Sequence, residues 1–129
     1  MKRNTDDKIL GVCITKNGRF GSSDMSGADL VCSTFDGSSF NQTNLSGANL
    51  TGSDFIGCDL RGANLKGATL VGCNFRGADL RRADFSGAII SHVDFGDADL
   101  RFCNFEDCPS WEHVMIAGAQ TTGVKWGDK

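Results

Sequence analysis

The chain has 129 residues, 17 of them Gly and one Pro, with a formal net charge of −3 and a pI near 5.2. That length suits one domain. The charge is too mild to mark a nucleic-acid binder or a strongly acidic mimic. In chain order, residues 1–8 are polar and aperiodic and read as a flexible tail. Ile9 to Ile14 is an apolar run too short for a signal peptide, and no small-x-small site follows it. Leu10-Gly-Val-Cys13 is a poor lipoprotein box, because Val precedes the Cys and the apolar stretch is short. Residues 9–19 are therefore expected to be an N-terminal capping strand, with Val12 and Ile14 pointing inward.

From Phe20 to Phe105 every fifth residue is large and apolar: Phe20, Met25, Leu30, Phe35, Phe40, Leu45 and so on to Leu100 and Phe105. Two residues before each stands a small one, as in Ala48, Ser53, Cys58 and Ala63, with Asp or Asn usually between. A spacing of five steps round a helix by about 140° and would scatter these groups over every side. A strand needs alternation over several residues, and here only one inward pair occurs before a polar or Gly corner. Each unit is thus a very short extended piece followed by a turn. One unit buries too little to stand alone, so units must stack.

Gly-Ala-Asn-Leu-Thr-Gly (47–52), Gly-Ala-Asn-Leu-Lys-Gly (62–67) and Gly-Ala-Asp-Leu-Arg-Arg (77–82) resemble the pentapeptide-repeat proteins. The resemblance covers about two-thirds of the chain. It implies an all-β fold: a right-handed, four-sided parallel β-helix, four repeats and about twenty residues per coil, with five to six coils here and short terminal capping segments.

The regular β-helix is expected over 20–107, with an irregular final coil or cap over 108–129. Past Phe105 the frame fails, since residues 110, 115 and 120 are Ser, Met and Gln. Shifted by one it returns, giving inward pairs at Val114/Ile116, Ala119/Thr121 and Val124/Trp126. A one-residue insertion near Cys108 to Glu112 is the favoured reading, with Trp126 covering the end of the core. A short helix over Trp111–Ala117 is the alternative.

In a twenty-residue coil, residues twenty apart stack at about 4.8 Å. Phe35, Phe55, Phe75 and Phe95 then form an aromatic ladder. Outward, face one stacks Arg61, Arg81 and Arg101, with Arg82 beside them, and places Asp59, Asp79 and Asp99 two residues before the Arg column. This is either a stripe that grips an acidic or phosphorylated partner or a self-neutralising ladder of surface ion pairs. Face three carries Val31, Thr51, Val71 and Ile89 with few charges, and is a candidate protein contact.

The recurring Asp and Asn are explained by turn chemistry, so no catalytic residue is singled out. His92 and His113 have no Cys or His at metal-ligand spacing, and no metal or cofactor is expected. Cys58, Cys73, Cys103 and Cys108 fill the slot used elsewhere by Ala and Ser and read as free core thiols, which fits a bacterial cytoplasm. Cys13 and Cys32 read as more exposed.

The expected function is a non-enzymatic, rigid protein-interaction module with an unidentified protein partner. No direct nucleic-acid contact and no membrane span are expected, and the chain reads as a monomer or weak homodimer. The alternative, implied by the resemblance, is a DNA-mimicking binder of type II topoisomerase (gyrase protection). Against it, five to six coils span roughly 25–30 Å, only about 8 base pairs, and the arginine column stands where a mimic must be negative.

Overall fold

The computed structural model describes residues 14–127. The residue preceding each large apolar centre makes a parallel bridge to the equivalent residue one coil on, as in Asp54↔Asn74, Asp59↔Asp79, Asn64↔Asp84 and Thr69↔Ile89. Four such columns give a four-sided β-helix. Face one runs through Arg19, Ser39, Asp59, Asp79, Asp99 and Gln120. Face two runs through Asp24, Asn44, Asn64, Asp84, Asn104 and Lys125, face three through Asp29, Asn49, Thr69 and Ile89, and face four through Ile14, Thr34, Asp54, Asn74, Asp94 and Met115.

Most corners are β-turns; the one at Ser91-His92 lacks the turn hydrogen bond. The N–H of the small residue donates to the carbonyl of the preceding centre, for example Ala63 to Leu60 at 3.0 Å. The second corner residue has positive φ, the signature of a type II turn, and is most often Gly, as at Gly67 (φ 65°). The Asp or Asn of each repeat fixes the turn entrance: Asn64 Oδ1 accepts the Lys66 N–H at 3.0 Å and Asn74 Oδ1 that of Arg76 at 2.9 Å. This is the turn chemistry expected from a short polar side chain.

The core is a single column of side chains. Phe35, Phe55, Phe75 and Phe95 are fully buried and stack at 5.3, 5.1 and 5.5 Å. Phe20 on Phe40, and Phe85 on Phe105, make shorter stacks at 4.8 and 4.7 Å. The small slot has its own bonding rule. Its hydroxyl or thiol donates to the centre carbonyl of the previous coil, 23 residues earlier: Thr43 to Phe20 (2.7 Å), Cys58 to Phe35 (3.0 Å), Cys73 to Leu50 (2.8 Å) and Cys103 to Leu80 (2.9 Å). The slot therefore tolerates Ala, Ser, Thr or Cys, since each is small and the polar ones bond backbone one coil earlier; Ser23, in the first regular coil, is the exception, its buried hydroxyl having no partner among the described residues. The four core cysteines are free and buried, and Cys32 is free and exposed.

The two ends depart from the regular period in different ways. Ile14 does not point inward: it is 73% exposed and bridges Thr34. It stands in the column of Thr34 and Asp54, one residue before the inward slot, so the five-residue frame continues back through Thr15. Residues 1–13, which hold the expected tail and the part of the capping strand from Ile9 to Cys13, Val12 included, lie outside the described residues. At the other end the bridges change spacing from 20 to 21, as Asp94↔Met115, Asp99↔Gln120 and Asn104↔Lys125. One residue is inserted, the repeat resumes, and no helix forms over Trp111–Ala117. Trp126 stacks on Phe105 at 5.4 Å and Trp111 meets it edge-on at 5.4 Å, so the last coil covers the core with indoles.

Candidate interaction faces

Face one is built by the Asx turn. Each Asp holds the N–H of the following Arg, which sets the guanidinium against the same carboxylate. Arg61 Nε and Nη2 donate to Asp59 at 2.9 and 2.8 Å, Arg81 to Asp79 at 2.9 and 2.7 Å, and Arg101 to Asp99 at 2.9 and 2.6 Å. Each pair is bidentate, the geometry that orders an arginine best. Weaker contacts step between coils, Arg61 to Asp79 at 3.9 Å and Arg81 to Asp99 at 3.7 Å. The arginine hydrogen bonds hold the carboxyls of Asp59, Asp79 and Asp99 below the usual range and raise the three guanidiniums.

The ladder does not neutralise the face. Arg19, Arg61, Arg81, Arg82 and Arg101 stand against Asp59, Asp79 and Asp99 alone, whereas each other described face and its corner carries more carboxylates than cations. Arg82 joins no ion pair among the described residues. It sits at the positive-φ corner (φ 62°), and its Cζ lies 5.0 Å from the ring centroid of Phe102. Phe102 is 51% exposed and itself overlies Gly123. Asn41, Gln42, Arg61, Gly62, Arg81 and Arg82 line a shallow trough of about 580 Å³ beside this corner.

The structure thus groups Arg61, Arg81 and Arg82 and continues the column to Arg101. It adds Asn41, Gln42 and Phe102, which the sequence reading did not single out. The signal for Phe102 was present: Arg82 and Phe102 are twenty apart, both at corner positions otherwise suited to Gly. Face three is less of a unit. Val31, Thr51 and Val71 are half-buried at its following corner, while Ile89 is exposed in mid-face. Thr51 Oγ1 is spent on Asn49 at 2.7 Å.

No group of three or more His, Cys, Asp and Glu is placed to hold a metal among the described residues. Among them, too, no helix is long and apolar enough to cross a membrane.

Two family models, each described as pentapeptide repeats, match the chain, one over residues 58–97 and 78–108 and the other over 33–75. The chain belongs to the pentapeptide-repeat family. Its fold is accordingly the family's right-handed quadrilateral β-helix. A pentapeptide repeat protein of the Arabidopsis thaliana thylakoid lumen is similar at 24% identity and a TM-score of 0.73, over 77% of this chain and 69% of that one. A pentapeptide repeat protein from Nostoc is similar at 25% identity and 0.60, over 76% and 84%. HetL, a Nostoc protein involved in heterocyst differentiation regulation, is similar at 23% and 0.57, over 87% and 63%. Among curated proteins none matches the chain.

Proposed function

We propose that this protein is a non-enzymatic, rigid interaction module that binds an acidic protein partner along face one, through Arg61, Arg81, Arg82 and Arg101. The observation that carries this reading is the arginine excess of face one beside three net-acidic faces. Its guanidiniums are already ordered by their own carboxylates, so little side-chain freedom is lost when a partner's carboxylate arrives. Arg82 is the anchor, since it has an aromatic support and no carboxylate of its own. A partner recognised this way gains on-rate and orientation from the field of the strip. A reducing compartment such as the cytoplasm belongs to the same reading, supported by thiols that serve as hydrogen-bond donors in the core.

The test is affinity capture from native extract with three baits: the wild-type chain, Arg82→Glu/Arg101→Glu, and Val71→Asp on face three. Acid-rich proteins should be held by the wild type and by Val71→Asp, released by salt, and lost from the double charge reversal. Capture that survives the double reversal but fails with Val71→Asp moves binding to Val31, Thr51, Val71 and Ile89 and refutes face one. The topoisomerase reading is weakened because a duplex mimic needs a continuous negative strip, whereas on the net-acidic faces cations interrupt the carboxylates, Lys66 beside Asp84 and Arg76 beside Asp94 and Asp97.

A further inference from the structure

We propose that His92, His113 and Met115 form a copper site at the corner between faces three and four, taking one cuprous ion through two imidazole nitrogens and a thioether sulfur. His92 and His113 stack with ring centroids 4.7 Å apart and planes tilted by 34°. Both are exposed, and neither ring has a hydrogen bond to another described residue. They line one hollow of about 360 Å³ with Val114 and Met115, and Met115 is 52% exposed.

The residue type at this corner changes along the stack. In the two coils below, the same corner is Gly52 (φ 70°) and Gly72 (φ 72°), while His92 and His113 hold φ 58° and 54°. Glycine is the residue this φ favours, although Cys32 (φ 56°) also occupies the column one coil further down. The one-residue insertion completes the arrangement. In an uninterrupted twenty-residue register Glu112 would stand over His92; the insertion brings in His113 instead.

The donor set selects the ion. The stacked rings do not aim their in-plane lone pairs at one point, so binding requires each exposed ring to turn until one nitrogen faces the hollow, where two imidazoles one strand spacing apart can share a metal at about 2.0–2.1 Å each. The lining supplies no side-chain oxygen, which disfavours hard cations such as calcium and magnesium. Adding a thioether to two imidazoles favours the softest of the common ions, cuprous copper. Val114 supplies an apolar wall that limits competing water.

The test uses the full chain with Cys13→Ser and Cys32→Ser, so that these two thiols do not compete. It is titrated with cuprous ion under anaerobic, reducing conditions against a chromophoric cuprous chelator, while His side-chain resonances are followed by NMR. One equivalent should bind and shift both imidazoles. His92→Gly and His113→Gly place at each corner the residue its φ favours, so both variants keep the wild-type circular dichroism. Each should weaken binding by roughly 100-fold or more, as loss of one of three ligands requires. Met115→Leu should weaken cuprous binding by at least about tenfold while leaving the weaker binding of zinc unchanged. Wild-type protein that yields all copper to the chelator, or copper held equally by His92→Gly, overturns the site. An unaffected Met115→Leu overturns the thioether and with it the choice of copper.

Discussion

Removing one ring from the aromatic ladder tests the fold at its centre. Phe55 is fully buried, stacked between Phe35 (5.3 Å) and Phe75 (5.1 Å), and meets Phe40 edge-on at 5.3 Å. Phe55→Ala removes most of that burial and leaves a cavity that the bridged strands on four sides cannot close, so a loss of about 3–5 kcal/mol is expected. For a domain of this size, each kcal/mol moves Tm by about 3–5 °C, so the variant should melt roughly 10–25 °C lower. Phe55→Leu is the paired control. Leu already fills the equivalent slot at Leu60 and Leu65, so this change keeps most of the apolar burial and loses mainly the three ring contacts, at about 0.5–1.5 kcal/mol each before repacking. Differential scanning calorimetry and circular dichroism melts supply both numbers. The double variant Phe55→Ala/Phe75→Ala should be non-additive, because the two rings share a contact. Phe55→Asp should not fold, since an unpaired carboxylate has no partner in this column. A Phe55→Ala protein melting within about 3 °C of wild type would refute the argument that stacked rings between coils hold the solenoid together.

Three further outcomes follow from the surface, the thiols and the corners. The carboxyls of Asp59, Asp79 and Asp99 titrate below their usual range when folded. As pH falls the unfolded chain therefore takes up these protons first, and the stability they contribute is present above the ordinary Asp value of about 3.9 and lost below it. Asp59→Asn/Asp79→Asn/Asp99→Asn keeps the turn-capping oxygen, as Asn64 and Asn74 do, so its Tm should fall less steeply than wild type between about pH 5 and pH 3; equal slopes would contradict the ion-pair account. Burial pushes the thiols of Cys58, Cys73 and Cys103 up to about 12. Iodoacetamide at pH 8, read by mass spectrometry, should modify exposed Cys32 in minutes and reach these three only after unfolding. Gly67 has φ 65° and open space where a Cβ would stand, so Gly67→Ala isolates the backbone term and should lower stability by about 1–2 kcal/mol in a denaturant titration, with the slope unchanged.

The sequence by itself determined the solenoid. A five-residue period admits neither helix nor extended strand, and the alternation of small and large slots leaves a stacked corner structure as the way to bury Phe20 through Phe105. The same arithmetic placed the ladder of Phe35 to Phe95, the Asp–Arg pairs of face one and the shift near Cys108. It placed Ile14 wrongly, because one apolar residue in a short run does not reveal whether it occupies the inward slot or the bridging slot beside it; only the pairing with Thr34 settles that. Tertiary structure decided what depends on contact between coils. It brought Arg82 onto Phe102, and it set His113 on His92, which a strict spacing of 20 keeps apart and the insertion, acting through the parallel bridges, aligns. Period fixes the scaffold because burial is repeated in every coil. Partnerships at the corners depend on where single side chains lie across neighbouring coils, and a linear pattern does not carry that information.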